Sequence, residues 1–316
     1  MSFSHREETR GDRLLDILTD ENAGIRLIVS RLGAELISLA RRDSSGNWIA
    51  FLYRDNDIAR PERGWANHAT VMGYFLHRLK DGRSSYRGTP IEGGTHSFLR
   101  TKVWQRVGDA SGDHRLTYRM TREHFTPTEY PLDVSLDLTY ALRNKEVIVT
   151  FSFENHDPQL TAHLGFGLHP GFAAGSFESF SLQMPRGTYR RHSSPDNFLS
   201  GETKDIEFEG GEMPFAREKL AGSYILELLD VPERTFTYED LLSGRSVALD
   251  FSDVPYITLW SDGGPFLCVE PCWGLTDHHQ QRAFEEKEGM QTIPAGGSLQ
   301  ASFRMSPRML APGTAV

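Results

Sequence analysis

An all-β fold, a large antiparallel β-sandwich, is what the sequence predicts. Three observations carry this: short apolar or alternating runs spread over most of the 316 residues, turn chemistry between them, and few stretches of amphipathic helical period. Ile25-Arg26-Leu27-Ile28-Val29-Ser30 and Glu35-Leu36-Ile37-Ser38-Leu39 are two such runs joined around Gly33, the pattern of a hairpin. Further strands are expected over residues 48–53, 116–120, 134–142, 147–153, 180–184, 224–229, 246–251, 256–260, 266–269 and 299–305. Asp43-Ser44-Ser45-Gly46-Asn47, Arg143-Asn144-Lys145 and Ser261-Asp262-Gly263-Gly264 supply turns between them. Residues 215–221 and 277–287 offer at most short helices. No fixed repeat and no Pro/Gly/Ser linker interrupts the chain, so one domain is expected over residues 13–316, behind a disordered tail at 1–12. A β-propeller would show a blade period of roughly 40–50 residues, and none is visible.

Composition excludes several classes of partner. With 43 acidic against 34 basic residues the formal charge is -9, which disfavours a surface for nucleic acid or an anionic membrane. Cys268 and Cys272 are too few for a disulfide framework and suit a reducing compartment as buried thiols. The charged stretch Met1-Ser2-Phe3-Ser4-His5-Arg6-Glu7-Glu8-Thr9-Arg10 has no apolar segment behind it, and no run of about 18 apolar residues follows. A soluble, cytoplasmic monomer or homodimer without a membrane partner is expected.

The chemistry concentrates in three places. Extended, the segment 161–172 points Leu164, Phe166 and Leu168 one way and His163, Gly165, Gly167 and His169 the other. The first is a core face; on the second, the two glycines leave room for a ligand beside the imidazoles. Pro170 and Gly171 set His169 at the strand's end, where ligands gather. His96 follows Gly93-Gly94-Thr95, and Glu270 closes the apolar run Phe266-Leu267-Cys268-Val269, a setting in which a carboxylate needs a partner or a raised pKa. From the residues alone each also reads structurally: His96 as a turn histidine, His169 as a hydrogen-bonded histidine at a sheet margin, Glu270 as a surface acid.

These places resemble the aldose 1-epimerases, or galactose mutarotase-like proteins, in particular their bacterial LacX-like branch. His96-Ser97-Phe98-Leu99-Arg100 is similar to that family's His-Gly-Phe-x-Arg, Phe166-Gly167-Leu168-His169-Pro170-Gly171-Phe172 to its Gly-x-His-Pro-x-Phe, and Leu259-Trp260 with Cys268-Val269-Glu270-Pro271 to its Leu-Trp and Cys-x-Glu-Pro-Trp. Arg78-Leu79-Lys80-Asp81-Gly82, Lys287-Glu288-Gly289-Met290 and Ile293-Pro294-Ala295-Gly296 extend the likeness, in order, across about residues 24–305. The resemblance implies a β-supersandwich with a sugar cleft and a cofactor-free exchange of α and β anomers of a hexose. Glu270 would take the O1 proton, His169 would donate to the ring O5, and His96 would hydrogen-bond beside them. By the same analogy Arg78 contacts sugar hydroxyls, Trp260 or Trp273 forms an aromatic wall, and His163 adds a contact.

Three departures mark this chain: Ser97 replaces the family's glycine, His77 precedes Arg78 where Gly or Asn is usual, and Cys272 stands between Pro271 and Trp273. Arg78, Lys80, Arg83, Arg87 and Arg100 also leave open a hexose-6-phosphate as substrate. A non-catalytic carbohydrate-binding sandwich is a further alternative. His163, His169, His96 and Glu270, or Asp277-His278-His279, are conceivable metal ligands. The chain nevertheless lacks both the close His-x-His pair of a cupin and His-Glu-x-x-His, so neither metal nor cofactor is expected.

Overall fold

Apolar residues alternating with polar ones over eight to twelve positions build long antiparallel strands, and the longest, Val134–Arg143, Glu146–Asn155, Ala162–Ala173 and Ser298–Met309, organise two large sheets. The computed structural model describes residues 3–108 and 114–310. A nine-stranded sheet has Ser298–Met309 between Arg245–Asp250 and Glu146–Asn155 near its centre. An eight-stranded sheet runs through Tyr224–Asp230, Tyr256–Trp260, Phe266–Trp273 and Ala162–Ala173. Ala162–Ala173 divides its far edge between two partners, pairing Gln291–Ile293 over Ala162 to Leu164 and Ala69–Tyr74 over Gly165 to Pro170. Phe180–Met184 and Tyr256–Trp260 have the bounds the sequence predicts, and residues 217–222 and 284–286 are short 3-10 turns.

The two large sheets meet through their aromatic faces. Phe166 lies 5.1 Å from Phe151 and 4.7 Å from Phe153 across the interface, and Phe172 lies 5.3 Å from Tyr238. Leu164, Phe166 and Leu168 are fully buried there, as the alternation requires. The other face of the strand carries no open groove beside its glycines. A Cβ on Gly167 would stand 2.4 Å from the Pro271 carbonyl oxygen and 3.1 Å from the Met72 side chain, while Leu76 and Met290 cover Gly165. The glycines serve close approach of neighbouring backbone rather than ligand access. That part of the sequence expectation is corrected.

A five-stranded sheet from Phe3–Arg10 to Trp48–Ala50 packs on the nine-stranded one, where Tyr140 Oη donates to the Ala34 carbonyl at 2.9 Å and Tyr118 Oη to Asp16 at 3.0 Å. Its first strand corrects the expected disordered tail, of which residues 1–2 lie outside the described residues. Phe3 to Arg10 pair in continuous register with Arg13 to Asp20. The charges that suggested fraying are held: His5 Nε2 lies 3.3 Å from the fully buried Asp16, Glu7 pairs with Arg31, and Arg10 donates to the Asn56 carbonyl at 2.9 Å. A polar strand can therefore pair stably at a sheet edge when its charges find partners.

Candidate active site

His169 and Glu270 stand on neighbouring strands, and the ladder puts them together. Gly167 faces Cys272 and Gly171 faces Cys268, so the antiparallel register between these pairs sets His169 opposite Glu270. His169 Nε2 lies 3.2 Å from Glu270 Oε1. The angles leave both carboxylate oxygens and His169 Nδ1 without a hydrogen bond within the protein. Both residues are buried, Glu270 to 1% exposure. Burial pushes the Glu270 carboxyl well up and the His169 imidazole down, because each charged form loses its hydration. The opposed shifts put the pair's one proton on Glu270 in the free protein and leave His169 neutral.

His96 completes the cluster, its ring 5.3 Å from that of His169 and nearly perpendicular to it. Two loops hold it by reciprocal bonds: His96 N–H donates to the His77 carbonyl at 2.7 Å, and His77 N–H donates to His96 Nδ1 at 3.2 Å. With Nδ1 an acceptor, the neutral ring carries its proton on Nε2. Burial, then the neighbouring His169 and His77, hold His96 well below the ordinary histidine pKa, so it stays a neutral donor. His77, His96 and Ser97 all have φ between 53° and 61°, so three left-handed non-glycine residues meet beside the dyad.

The cavity in front of the dyad has a volume of about 270 Å³. His169, Glu270, His96, Arg78 and Trp260 line it, so five of the seven residues expected at the site converge. Trp273 does not. Along Phe266–Trp273, Leu267, Val269 and Trp273 face the core, whereas Glu270 faces the cavity. Trp273 accordingly stacks on Phe166 at 5.1 Å and donates Nε1–H to the Asp253 carbonyl at 2.9 Å. His163 shares the parity of His169 but lies six residues away, roughly 20 Å along an extended strand, and its ring sits 5.9 Å from Tyr86.

Other lining residues were not expected. Trp65 stacks on His169 at 5.0 Å and meets Trp260 edge-on at 5.8 Å, making the aromatic wall with Trp260 instead of Trp273. Gly171 permits this, since a Cβ there would stand 2.4 Å from the Trp65 ring. Asp262 fixes the loop by accepting the Trp65 N–H at 2.8 Å. Asn67, Asn197 and Arg100 supply further polar groups. A tryptophan after glycine in the otherwise polar stretch Glu62-Arg63-Gly64-Trp65 was the available signal for this wall. Among the described residues, Glu270 is the one acid lining the cavity, and neither Arg78 nor Arg100 has an ion-pair partner. A wider depression on the outer face of the nine-stranded sheet is lined by Arg119 and Asp137, which are already paired, and holds none of the candidate residues.

Fold and site together define an antiparallel β-sandwich protein with a buried carboxyl–imidazole pair in a small polar cavity walled by tryptophan. The family model described as aldose 1-epimerase matches residues 16–209, and the chain belongs to that family. Arg78, His96 and His169 fall inside the match, and Trp260 and Glu270 lie beyond it. Among curated relatives, the chromosomal protein LacX of Lactococcus lactis subsp. lactis is 23% identical over 265 residues, 78% of this chain and 83% of that protein. Among solved structures, a galactose mutarotase related enzyme from Lactobacillus acidophilus superimposes with a TM-score of 0.81 at 24% identity, covering 92% of this chain and 97% of that one. A galactose mutarotase-like protein from Lactobacillus casei gives 0.79 at 24% identity, with 92% and 100% covered. The fold is that of the galactose mutarotase-like proteins.

Proposed function

We propose that this protein is a cofactor-independent mutarotase, interconverting the α and β anomers of a hexose. The observation that carries the reading is the His169–Glu270 pair, 3.2 Å apart, buried, and without other hydrogen-bond partners for the carboxylate. In a cyclic aldose O1 and O5 are both bonded to C1, so two groups in contact with one another can each reach one of these oxygens. With the pair's proton moved from Glu270 to His169 in the sugar complex, Glu270 accepts the O1 hydroxyl proton while His169 donates to O5; C1–O5 breaks as the C1–O1 double bond forms. Rotation about C1–C2 presents the other face of the aldehyde to O5, and the proton transfers reverse. The pair carries one proton before and after, so no cofactor has to balance the step. His96, held neutral with its proton on Nε2, donates a hydrogen bond to the oxygen that gains charge. Trp65 and Trp260 cover the apolar face of the sugar, and Arg78 with Asn67 and Asn197 takes its hydroxyls.

A phosphorylated hexose is a second reading, favoured by Arg78 and Arg100 lining the cavity without an acidic partner. Lys80, Arg83 and Arg87, which the sequence grouped with them, do not line it. The test is the approach to anomeric equilibrium of fresh α-glucose, α-galactose and their 6-phosphates, followed by polarimetry and anomeric proton NMR. Acceleration of a free hexose supports the first reading, and acceleration confined to the phosphates supports the second. Binding without acceleration would make the protein a carbohydrate-binding sandwich.

A further inference from the structure

We infer that His77, Glu270 and Cys272 form a site for one thiophilic divalent cation, with Zn²⁺ as the type. Their imidazole nitrogen, carboxylate oxygen and thiol sulfur all lie within 4.8 Å of one another. The three residues are buried, with exposures of 7%, 1% and 1%. Glu270 and Cys272, two positions apart on one strand, present their side chains to the same side, and His77 reaches them from the loop after Ala69–Tyr74. Thr258 Oγ1 sits 3.4 Å from His77 Nε2 and 3.8 Å from Cys272 Sγ, holding both near the carboxylate. Neither Glu270 oxygen has a hydrogen bond, so a ligand atom is already free of competing partners.

The donor set selects the ion. A thiolate and an imidazole favour zinc, cobalt or copper over magnesium or calcium, which take oxygen ligands. A dication bound by a thiolate and a carboxylate is net neutral, which removes much of the cost of burying its charge. Three protein ligands leave a fourth position, and His77 and Glu270 line the cavity, so the ion enters from the side on which that position opens. The clusters that the sequence offered as ligands are not assembled this way. His163 is remote, and Asp277 is engaged by Lys287 at 2.6 Å. Because Glu270 belongs to both sets, a bound ion withdraws it from His169, and the cation acts as an inhibitor of acid–base chemistry at this pair. Metal binding itself does not depend on the proposed mutarotase reading.

The experiment is titration of the reduced, chelator-stripped protein with Co²⁺, read by the near-ultraviolet thiolate-to-cobalt charge-transfer band, with Zn²⁺ displacement and elemental analysis giving stoichiometry. One ion per chain with a thiolate band is expected. The band disappears in Cys272→Ser and persists in Cys268→Ser, the other buried thiol. His77→Asn, a loop substitution that serves if Cys272→Ser does not fold, weakens affinity by more than the roughly 10–100-fold lost with an outer-shell partner. Absence of a thiolate band in wild type, or a band that survives both Cys272→Ser and His77→Asn, overturns the inference.

Discussion

Replacing Ser97 by glycine should stabilise the protein, an unusual direction for a substitution beside an active site. Ser97 has φ of 61°, a conformation that costs an ordinary L-residue roughly 1–2 kcal/mol and glycine little. Its hydroxyl is buried and finds no partner, which costs roughly 1–3 kcal/mol that the variant does not incur. Against these, glycine gives the unfolded chain extra freedom, about 0.4–1 kcal/mol, and the small packing contact of Cβ and Oγ is lost. The balance is a gain of about 1–4 kcal/mol, read as a higher urea midpoint at unchanged m-value and a thermal midpoint raised by several degrees. A midpoint equal to or below wild type would refute the reasoning, because it would mean that the Ser97 hydroxyl is satisfied or its backbone unstrained.

Gly171→Ala puts a methyl group where the Trp65 ring lies, 2.4 Å from its nearest carbon, so the aromatic wall shifts while the sheet persists. Sugar KM should rise about 2–10-fold, the equivalent of one aromatic contact, with kcat affected less; an unchanged KM would remove Trp65 from the substrate site. In acid, stability should fall as the pH drops below about 6.5. Burial holds His77 down to about 4 and His96 well below the ordinary value, so both stay neutral in the fold and take up protons only on unfolding. Between about pH 4.5 and 6.5 the His169–Glu270 pair holds one proton in either state and adds little slope. His77 and His96 contribute up to about 1.4 kcal/mol per pH unit each, and His5 and His278, also held down by burial, add to the same slope. Urea midpoints at several pH values check this, with His77→Asn expected to lower the slope by up to about 1.4 kcal/mol per pH unit and an unaltered slope contradicting the assignment.

The sequence made the β-architecture legible wherever one face of a strand is buried. Residues 134–142 and 147–153 alternate cleanly, and the structure extends the first by one residue at its C-terminal end and the second by one and two residues at its ends. Arg13–Asp20 and Ala69–Tyr74 were missed because nearly every position is buried and alternation vanishes. Phe3–Arg10 was missed because its stability comes from ion pairs with distant residues, which local pattern does not display. At the site, the sequence singled out both dyad residues, but for strand-end positions that the structure does not give them: Ala162–Ala173 continues through His169 and Phe266–Trp273 through Glu270. With the run taken to close at Glu270, its alternation was not carried on to Trp273, which the longer strand turns to the core. The place of Trp65 against His169 and the assembly of His77 with Glu270 and Cys272 were not legible, since tertiary packing brings loops to the strand to make them.

The most direct test of the account is anomer exchange by wild type and Glu270→Gln under identical conditions, on the sugar that wild type turns over fastest, with calorimetric sugar binding and thermal denaturation measured alongside. The substitution keeps the size of the side chain and removes its proton exchange with His169. The account predicts a fall in kcat of about 10²–10⁴-fold, the scale of one general acid–base group, with sugar affinity within a few-fold and the fold intact. Exchange at the wild-type rate by the folded variant, or no acceleration by wild type with any hexose or hexose 6-phosphate, would contradict it.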